Sequence, residues 1–402
     1  MKNIFRAVKI SDRVYWVGAI DWTIRDFHGY TTRRGSSYNA YLVLADKITL
    51  IDTVKAPFYE EMMSRIASVV DPRKIRHVIS NHSEMDHSGC LPAVMDFISP
   101  EKVFTSIMGM KALQEHFHMS REIIPLKDGD SLSLGNLNLS FMETRMLHWP
   151  DSMFTYLPEE KLLFSQDAFG MHLASLERFD DEVDPDILDF EAATYYANII
   201  LPYSPLVGKL LDRVEAAGLN INIIAPDHGP IWRKDLAGIL GKYRRWATRT
   251  QDFKAVVVYA TMWHSTEMMA KAIGEGLAAG GAKVKLMSMN QFHRSDVVYE
   301  MLDAGAIAVG SPTLNNHILP QMADILTYLK GLKPTNLLGA VFGSYGWSGE
   351  SARELEGFLS EIGADKVGET IKVRYVPDAD ALMKCYSLGS LLASKLWEKL
   401  QS

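Results

Sequence analysis

The chain has 402 residues, enough for two ordinary hydrophobic cores rather than one. Apolar residues make up 47% and charged residues 23%, the mixture of a globular protein. A formal net charge of -7, with no block of like charge, argues against nucleic acid as a partner. Cys90 and Cys385 stand far apart and no C-x-x-C occurs. That excludes a disulfide framework, a Cys-rich zinc site and a thiolate-bound iron centre, so both cysteines are expected to be buried apolar fillers. The stretch MKNIFRAVKISDRVYWVG lacks the apolar core of a secretory signal. No apolar run approaches the roughly 20 residues a membrane span needs. The expected setting is reduced and cytoplasmic, without a membrane partner.

Up to residue 250 strands and hairpins are interspersed with helices. Strand-like runs are AYLVLAD (40–46), ITLIDTV (48–54), HVIS (77–80), LNLSFMET (137–144), FTYL (154–157), KLLFSQD (161–167) and INIIAP (221–226). The short link between 40–46 and 48–54 predicts an antiparallel hairpin. A helical pattern covers PLVGKLLDRVEAAG (205–218), and sheets flanked by helices predict a layered α/β architecture. The charged stretch RKDLAGILGKYRRWATRTQD (233–252) predicts a connecting helix. From residue 254 the rhythm becomes strict strand–helix alternation: KAVVVYA (254–260), KVKLMSM (283–289), AIAVGSP (306–312), NLLGAVFGS (336–344) and ETIKVRYV (369–376). Near-continuous apolar strands separated by amphipathic helices imply a parallel sheet buried on both faces, and five such units complete a doubly wound domain. The domains are therefore placed at 1–250 and 251–402.

The densest chemistry is His82-Ser83-Glu84-Met85-Asp86-His87, directly after the strand HVIS and before a helix expected to begin near Gly89. Four ligand-type side chains within six residues converge only where the backbone turns sharply, as at a strand end. Burying them together without a cation would be costly, whereas Asp86 alone would suit a helix cap. Imidazole mixed with carboxylate suits iron or manganese; zinc sites of this density lean on more His or on Cys. His148, Asp167 and His228 lie at the ends of later strands, where functional side chains gather, though each alone reads as an ordinary turn residue.

The pattern H-x-E-x-D-H with a later His, Asp and His resembles the metallo-β-lactamase fold, and more specifically the flavodiiron proteins, or A-type flavoproteins. Hydrolytic members of that superfamily carry H-x-H-x-D-H; here Glu84 stands at the second His position, and its anionic oxygen hardens the site. The segments RDFHGYT (25–31) and ETRMLHWPDSM (143–153) also match the family, and SLERF (175–179) departs slightly from it. The resemblance implies an N-terminal αββα sandwich of metallo-β-lactamase type and a C-terminal flavodoxin-like domain. It implies one iron on His82, Glu84 and His148, a second on Asp86, His87 and His228, and Asp167 bridging them. His28, Tyr30, His172 and Tyr195 are candidates to back the ligands or deliver protons.

In the second half, KAVVVYA runs into Thr261-Met262-Trp263-His264-Ser265-Thr266 and a helix. Hydroxyls and backbone N–H groups at a helix N-terminus form an anion site, and Thr and Ser without Lys or Arg suit the phosphate of FMN. Helix capping by Ser265 or Thr266 is compatible with that. Gly274, Gly276 and Gly280 fall inside or at the end of the helix, so they are not a dinucleotide fingerprint; they read as helix packing and a C-terminal stop. Two further loops leave strand ends, Ser311-Pro312-Thr313-Leu314-Asn315-Asn316 and Ser344-Tyr345-Gly346-Trp347-Ser348-Gly349. Tyr345 and Trp347 offer flat surfaces for an isoalloxazine, and the run GSYGWSGE resembles the flavodiiron version closely.

By the same resemblance, FMN and two non-haem irons reduce O2 to water, NO to N2O, or both. Electrons would come from an external donor, rubredoxin or reduced F420. A head-to-tail homodimer, able to pair into a tetramer, would set each FMN beside its partner's diiron site. The competing reading is a lactamase-type hydrolase with an accessory flavodoxin domain, against which Glu84 argues. A third is a flavin electron carrier with an inert metal domain.

Overall fold

The computed structural model describes residues 4–119 and 121–402. They form two compact units. One takes the chain up to His28, Thr32–Tyr195 and Pro205–Arg244; the other takes Gly29–Thr31, Tyr196–Ser204 and Arg245–Ser402.

In the first unit a seven-stranded mixed sheet runs in the order Val8–Lys9, Val14–Trp16, Tyr41–Val43, Thr49–Ile51, His77–Ser80, Lys102–Ser106, Ile124–Leu126. The hairpin expected from 40–46 and 48–54 is present, with Tyr41 opposite Ile51. A five-stranded sheet follows: Ser131–Ser133, Asn138–Glu143, Met153–Leu157, Leu162–Gln166 and Ile223–Pro226. Alternation of side chains explains the sandwich. Tyr41, Val43, Ile51, Ile79 and Phe104 share one core with Leu139, Phe141, Leu157 and Phe164 of the second sheet. The residues between them in sequence, Leu42, Leu50, Val78 and Val103, share another with Met62, Ile66 and Val94 of the helices Tyr59–Ala67 and Leu91–Ile98. Strands covered on both faces are mostly apolar on both, which is why they read as near-continuous apolar runs.

Two local expectations change. The helix after the His82–His87 cluster does not begin near Gly89: Met85–Ser88 already forms one turn, and a second helix starts at Leu91. Asp86 and His87 are therefore fixed by helical backbone rather than by a loop. Gly89 allows this, since a Cβ there would lie 2.3 Å from the Met85 carbonyl oxygen and 2.9 Å from the Ala56 nitrogen. The connecting helix spans only Leu236–Ala247. Ahead of it, the N–H groups of Arg233, Lys234 and Asp235 wrap the Asp180 carboxylate instead of entering a helix.

In the second unit Lys283–Ser288, Asp252–Tyr259, Ala304–Gly310 and Leu338–Tyr345 lie side by side in parallel, and Leu338–Tyr345 also pairs with Asp365–Lys366 and Ile371–Arg374. This is the flavodoxin order, with the first strand flanked by the second and third. Helices Ser265–Ala279 and Ala379–Gln401 pack closely through glycine: a Cβ on Gly276 would sit 2.0 Å from the Tyr386 carbonyl oxygen. Gly280 caps the first of these helices, and Gly281, at φ +89°, turns the chain away. Cys90 and Cys385 are free and buried. Among the described residues no helix is long and apolar enough to cross a membrane.

Candidate metal centre and flavin pocket

Strand ends and the first helical turn bring all seven candidate ligands of the first unit together as two buried clusters. His82, Glu84, His148 and Asp167 form one; Asp86, His87 and His228 form the other. Asp167 joins them. Its Oδ2 lies 2.9 Å from His148 Nε2 and 3.3 Å from His82 Nε2, while Oδ1 lies 3.2 Å from His87 Nε2 and 3.6 Å from His228 Nε2. Glu84 Oε2 is 3.2 Å from both His82 and His148 Nε2, and the Asp86 oxygens are 3.4 Å from His87 and 3.3 Å from His228 Nε2. Metal–ligand bonds of roughly 2.1 Å space neighbouring ligand atoms by about 3.0–3.4 Å, so the donor set suits a cation in each cluster. Both Asp86 oxygens, Asp167 Oδ1 and His87 Nε2 are buried without a hydrogen-bond partner among the described residues, an arrangement that a metal would resolve.

Charges are finely opposed here. Burial works against the charged form of His82, but Asp151 and Asp167 raise its pKa well above the ordinary value. His87 follows the same pattern and is raised to about 10 by Asp86, Asp167 and Asp227 against burial. Burial alone would raise Glu84 and Asp167; the imidazoles around them prevail and hold both carboxyls well below the carboxylate range. The ring nitrogens that face away from the clusters are also held. His82 Nδ1 is 3.1 Å from Asp151 Oδ2, which accepts from the Ser83 N–H at 2.6 Å and hydroxyl at 2.8 Å. His228 Nδ1 donates to the Ser37 carbonyl oxygen at 2.7 Å. Asp151 was not singled out from sequence; its place three residues after His148 gave no pattern to find it by.

Of the four backing candidates, His28 reaches the cluster, its Nε2 2.8 Å from Glu84 Oε1, and that hydrogen bond raises its pKa against partial burial. His172 is buried with Nδ1 2.8 Å from the Ser36 hydroxyl and its ring 4.6 Å from that of His228; burial pushes its pKa well down. Tyr195 stacks edge-on to His172 at 5.1 Å. Tyr30 is fully buried and groups with the second unit.

In the second unit a cavity of about 750 Å³ opens at the carboxyl ends of the parallel strands. Thr261, Met262, Trp263 and Ser265 line it from the first loop, Pro312, Thr313, Leu314, Asn315 and Asn316 from the second, and Ser344, Tyr345, Gly346, Trp347 and Ser348 from the third. Four candidates, His264, Thr266, Ser311 and Gly349, do not line it. His264 turns its Nδ1 to Glu267 at 2.6 Å, and Thr266 bonds the Ser344 hydroxyl at 2.9 Å. Ser311 accepts from the Leu319 N–H, and Gly349 precedes the helix Glu350–Glu361. Neither Ser265 nor Thr266 caps its helix; His264 does, without a side-chain bond. Tyr375 and Val376 complete the wall and were missed, although they end the predicted strand ETIKVRYV. Trp263 and Trp347 are each 86% exposed, large apolar surfaces that a flat ligand would cover. Among the described residues the buried Thr261 hydroxyl has no hydrogen-bond partner, and the wall carries aromatic and hydroxyl groups without Lys or Arg, which fits a flavin with a monophosphate.

A sandwich of lactamase type bearing two His/carboxylate clusters, in one chain with a flavodoxin-type flavin pocket, defines a class: flavoproteins with a non-haem diiron site. Comparison with known proteins agrees. Residues 37–229 match the family described as "ODP family beta lactamase", and residues 257–389 match flavodoxin. The chain is 46% identical over 393 residues to a nitric oxide reductase of Moorella thermoacetica, covering 97% of this chain and 98% of that one. It is 41% identical over 401 residues to a coenzyme F420H2 oxidase of Methanothermobacter marburgensis, covering 97% and 98%. The solved rubredoxin oxygen:oxidoreductase of Desulfovibrio gigas superposes with a TM-score of 0.97 at 44% identity, covering 99% and 100%. The flavodiiron protein of Giardia intestinalis superposes with a TM-score of 0.94 at 33% identity, covering 98% of each chain. The chain belongs to the flavodiiron proteins.

Proposed function

We propose that this chain is a gas reductase that takes electrons from an external donor through FMN to a diiron site, reducing O2 to water, NO to N2O, or both. The observation that carries it is Asp167, one oxygen in each of two buried His/carboxylate clusters. Relatives named for nitric oxide reduction, oxygen reduction and F420H2 oxidation support the reaction class, and rubredoxin and reduced F420 are the donors their names suggest. In this reading His82, Glu84 and His148 would hold one iron, Asp86, His87 and His228 the other, and Asp167 would serve both. When bound, the irons take up the diatomic and the FMN supplies electrons singly.

The chain's own residues set the conditions. Six of the ligands are buried and His148 keeps 12% of its side chain exposed, so little bulk water reaches them and their electrostatics are strengthened. His28, exposed and hydrogen-bonded to the buried Glu84, would pass protons between solvent and that carboxylate. Reducing O2 to two waters consumes four electrons and four protons; coupling two NO to N2O and one water consumes two of each. The three strand-end loops would hold the flavin, Trp347 and Tyr345 offering flat faces to its ring and Thr261 and Ser265 hydroxyls to its phosphate. The domain division at 1–250 and 251–402, the head-to-tail homodimer and the cytoplasmic setting belong to this proposal through the family resemblance.

Anaerobic reconstitution followed by parallel O2 and NO assays with rubredoxin and with reduced F420 tests the reading. About two irons and one FMN per chain with donor-dependent gas consumption is expected. A zinc-loaded protein that hydrolyses esters or lactams and consumes neither gas would support the hydrolase instead.

A further inference from the structure

The metal reading leaves one buried carboxyl group unexplained. Asp227 is fully buried, and neither of its carboxylate oxygens has a hydrogen-bond partner among the described residues. Its neighbour Asp52 is equally buried but satisfied, accepting from the Asn81 N–H at 2.6 Å and side-chain amide at 2.8 Å. The other donors near Asp227 are committed to backbone: Tyr41 bonds the Pro226 carbonyl oxygen, and the Asn39 amide bonds those of Pro226 and Gly229. What remains is His87. Its Nδ1, also without a hydrogen-bond partner, lies 3.6 Å from Asp227 Oδ2. The opposite ring nitrogen, Nε2, faces Asp167 and Asp86.

We propose that Asp227 is a positioning residue for the second metal: it accepts the Nδ1–H of His87, fixing the tautomer that leaves Nε2 free to coordinate. A neutral imidazole carries one proton, and only when that proton is on Nδ1 can Nε2 donate its lone pair to a metal. Asp227 cannot itself be a ligand of this cluster, because it stands behind the ring, on the side away from Asp86 and Asp167. Its backbone is clamped from both directions, its N–H on the Gln166 carbonyl oxygen at 2.8 Å and its own carbonyl oxygen accepting from Asn39 at 2.7 Å, so the carboxylate has a fixed aim. The other cluster repeats the device, with Asp151 behind His82 at 3.1 Å. His228 uses a carbonyl oxygen instead. Without a protonated partner an unpaired carboxylate at this depth would be disfavoured, and His87 is the group that supplies one.

The proposal rests on the diiron reading, and the experiment separates the two. Metal-free wild type, Asp227→Asn, Asp227→Leu, His87→Ala and the His87→Ala/Asp227→Leu double variant are titrated anaerobically with Fe(II) against a chromogenic chelator. FMN content and thermal midpoint are recorded alongside. Asp227→Leu is expected to weaken one of two irons by roughly 10- to 100-fold while the other binds as in wild type. Asp227→Asn, which keeps an acceptor without the charge, should fall between them and serves if the leucine variant does not fold. In the His87→Ala background Asp227→Leu should cost nothing further, because its effect passes through the ring. Equal affinity for both irons in Asp227→Leu, or independent losses in the double variant, overturns the proposal. A wild type that binds fewer than two irons overturns the metal reading beneath it.

Discussion

Replacing Asp167 with Asn keeps the shape of the side chain and removes its charge and one acceptor oxygen. In the structure its two oxygens meet four imidazole nitrogens at 2.9, 3.3, 3.2 and 3.6 Å. At 2.9 Å and an effective dielectric constant near 20, one such charge pair is worth about 6 kcal/mol before desolvation is subtracted. Removing one partner from a buried pair costs about 3–5 kcal/mol in practice. If Asp167 bridges two irons as proposed, the loss in the metal-bound protein is shared, each iron forfeiting an anionic ligand. At roughly 1.4–2.8 kcal/mol per ion that is about 10- to 100-fold in affinity for each. After anaerobic reconstitution and desalting, Asp167→Asn should retain less than half the iron of wild type, and its gas consumption should fall with the iron. FMN content should not change, because the flavin pocket is lined by residues of the second unit alone. A variant with its full complement of iron and unaltered consumption of O2 and NO would refute the bridging role.

Trp347→Ala removes an aromatic wall that is 86% exposed, and should weaken FMN by roughly 2- to 10-fold in a flavin-fluorescence titration with iron content unchanged. Gly276→Ala gains about 1 kcal/mol of helix propensity but drives a Cβ to 2.0 Å from the Tyr386 carbonyl oxygen and 2.9 Å from the Ser390 nitrogen. Overpacking against backbone costs about 1–3 kcal/mol, so urea unfolding of the second unit should show a net loss. His77, with both ring nitrogens unpartnered and its ring edge-on to Phe104 at 5.3 Å, has a pKa lowered by burial from 6.5 to about 4. The unfolded chain then takes up the proton first as pH falls. The stability His77 contributes is whole above about pH 6.5 and lost on the way down to about pH 4. Urea midpoints of His77→Leu should therefore fall less steeply than those of wild type across that window.

The parts of the fold that sequence revealed are those where burial is two-sided. Residues 255–259 and Ala304–Gly310 carry apolar or glycine residues at every position because both faces are covered, and their runs stand out. ETIKVRYV was over-extended to eight residues; only Ile371–Arg374 pairs, and there Lys372 and Arg374 are exposed. An edge strand with a wet face announces itself less clearly. The site divides on similar lines. His82, Glu84, Asp86 and His87 were legible from spacing because one strand end and one helical turn deliver all four. Asp167 and His228 follow the ends of different strands and His148 lies in the loop between Asn138–Glu143 and Met153–Leu157, and their meeting is a fact of sheet pairing that only the family pattern could supply. Asp151 and Asp227 were invisible although each lies beside a named ligand, because what makes them matter is the far nitrogen of an imidazole contributed by another segment. A ligand set leaves a motif when one turn carries it, whereas the groups that hold ligands in place come from whichever strand end passes behind the ring. Their positions therefore follow three-dimensional packing, and no spacing rule along the chain can recover them.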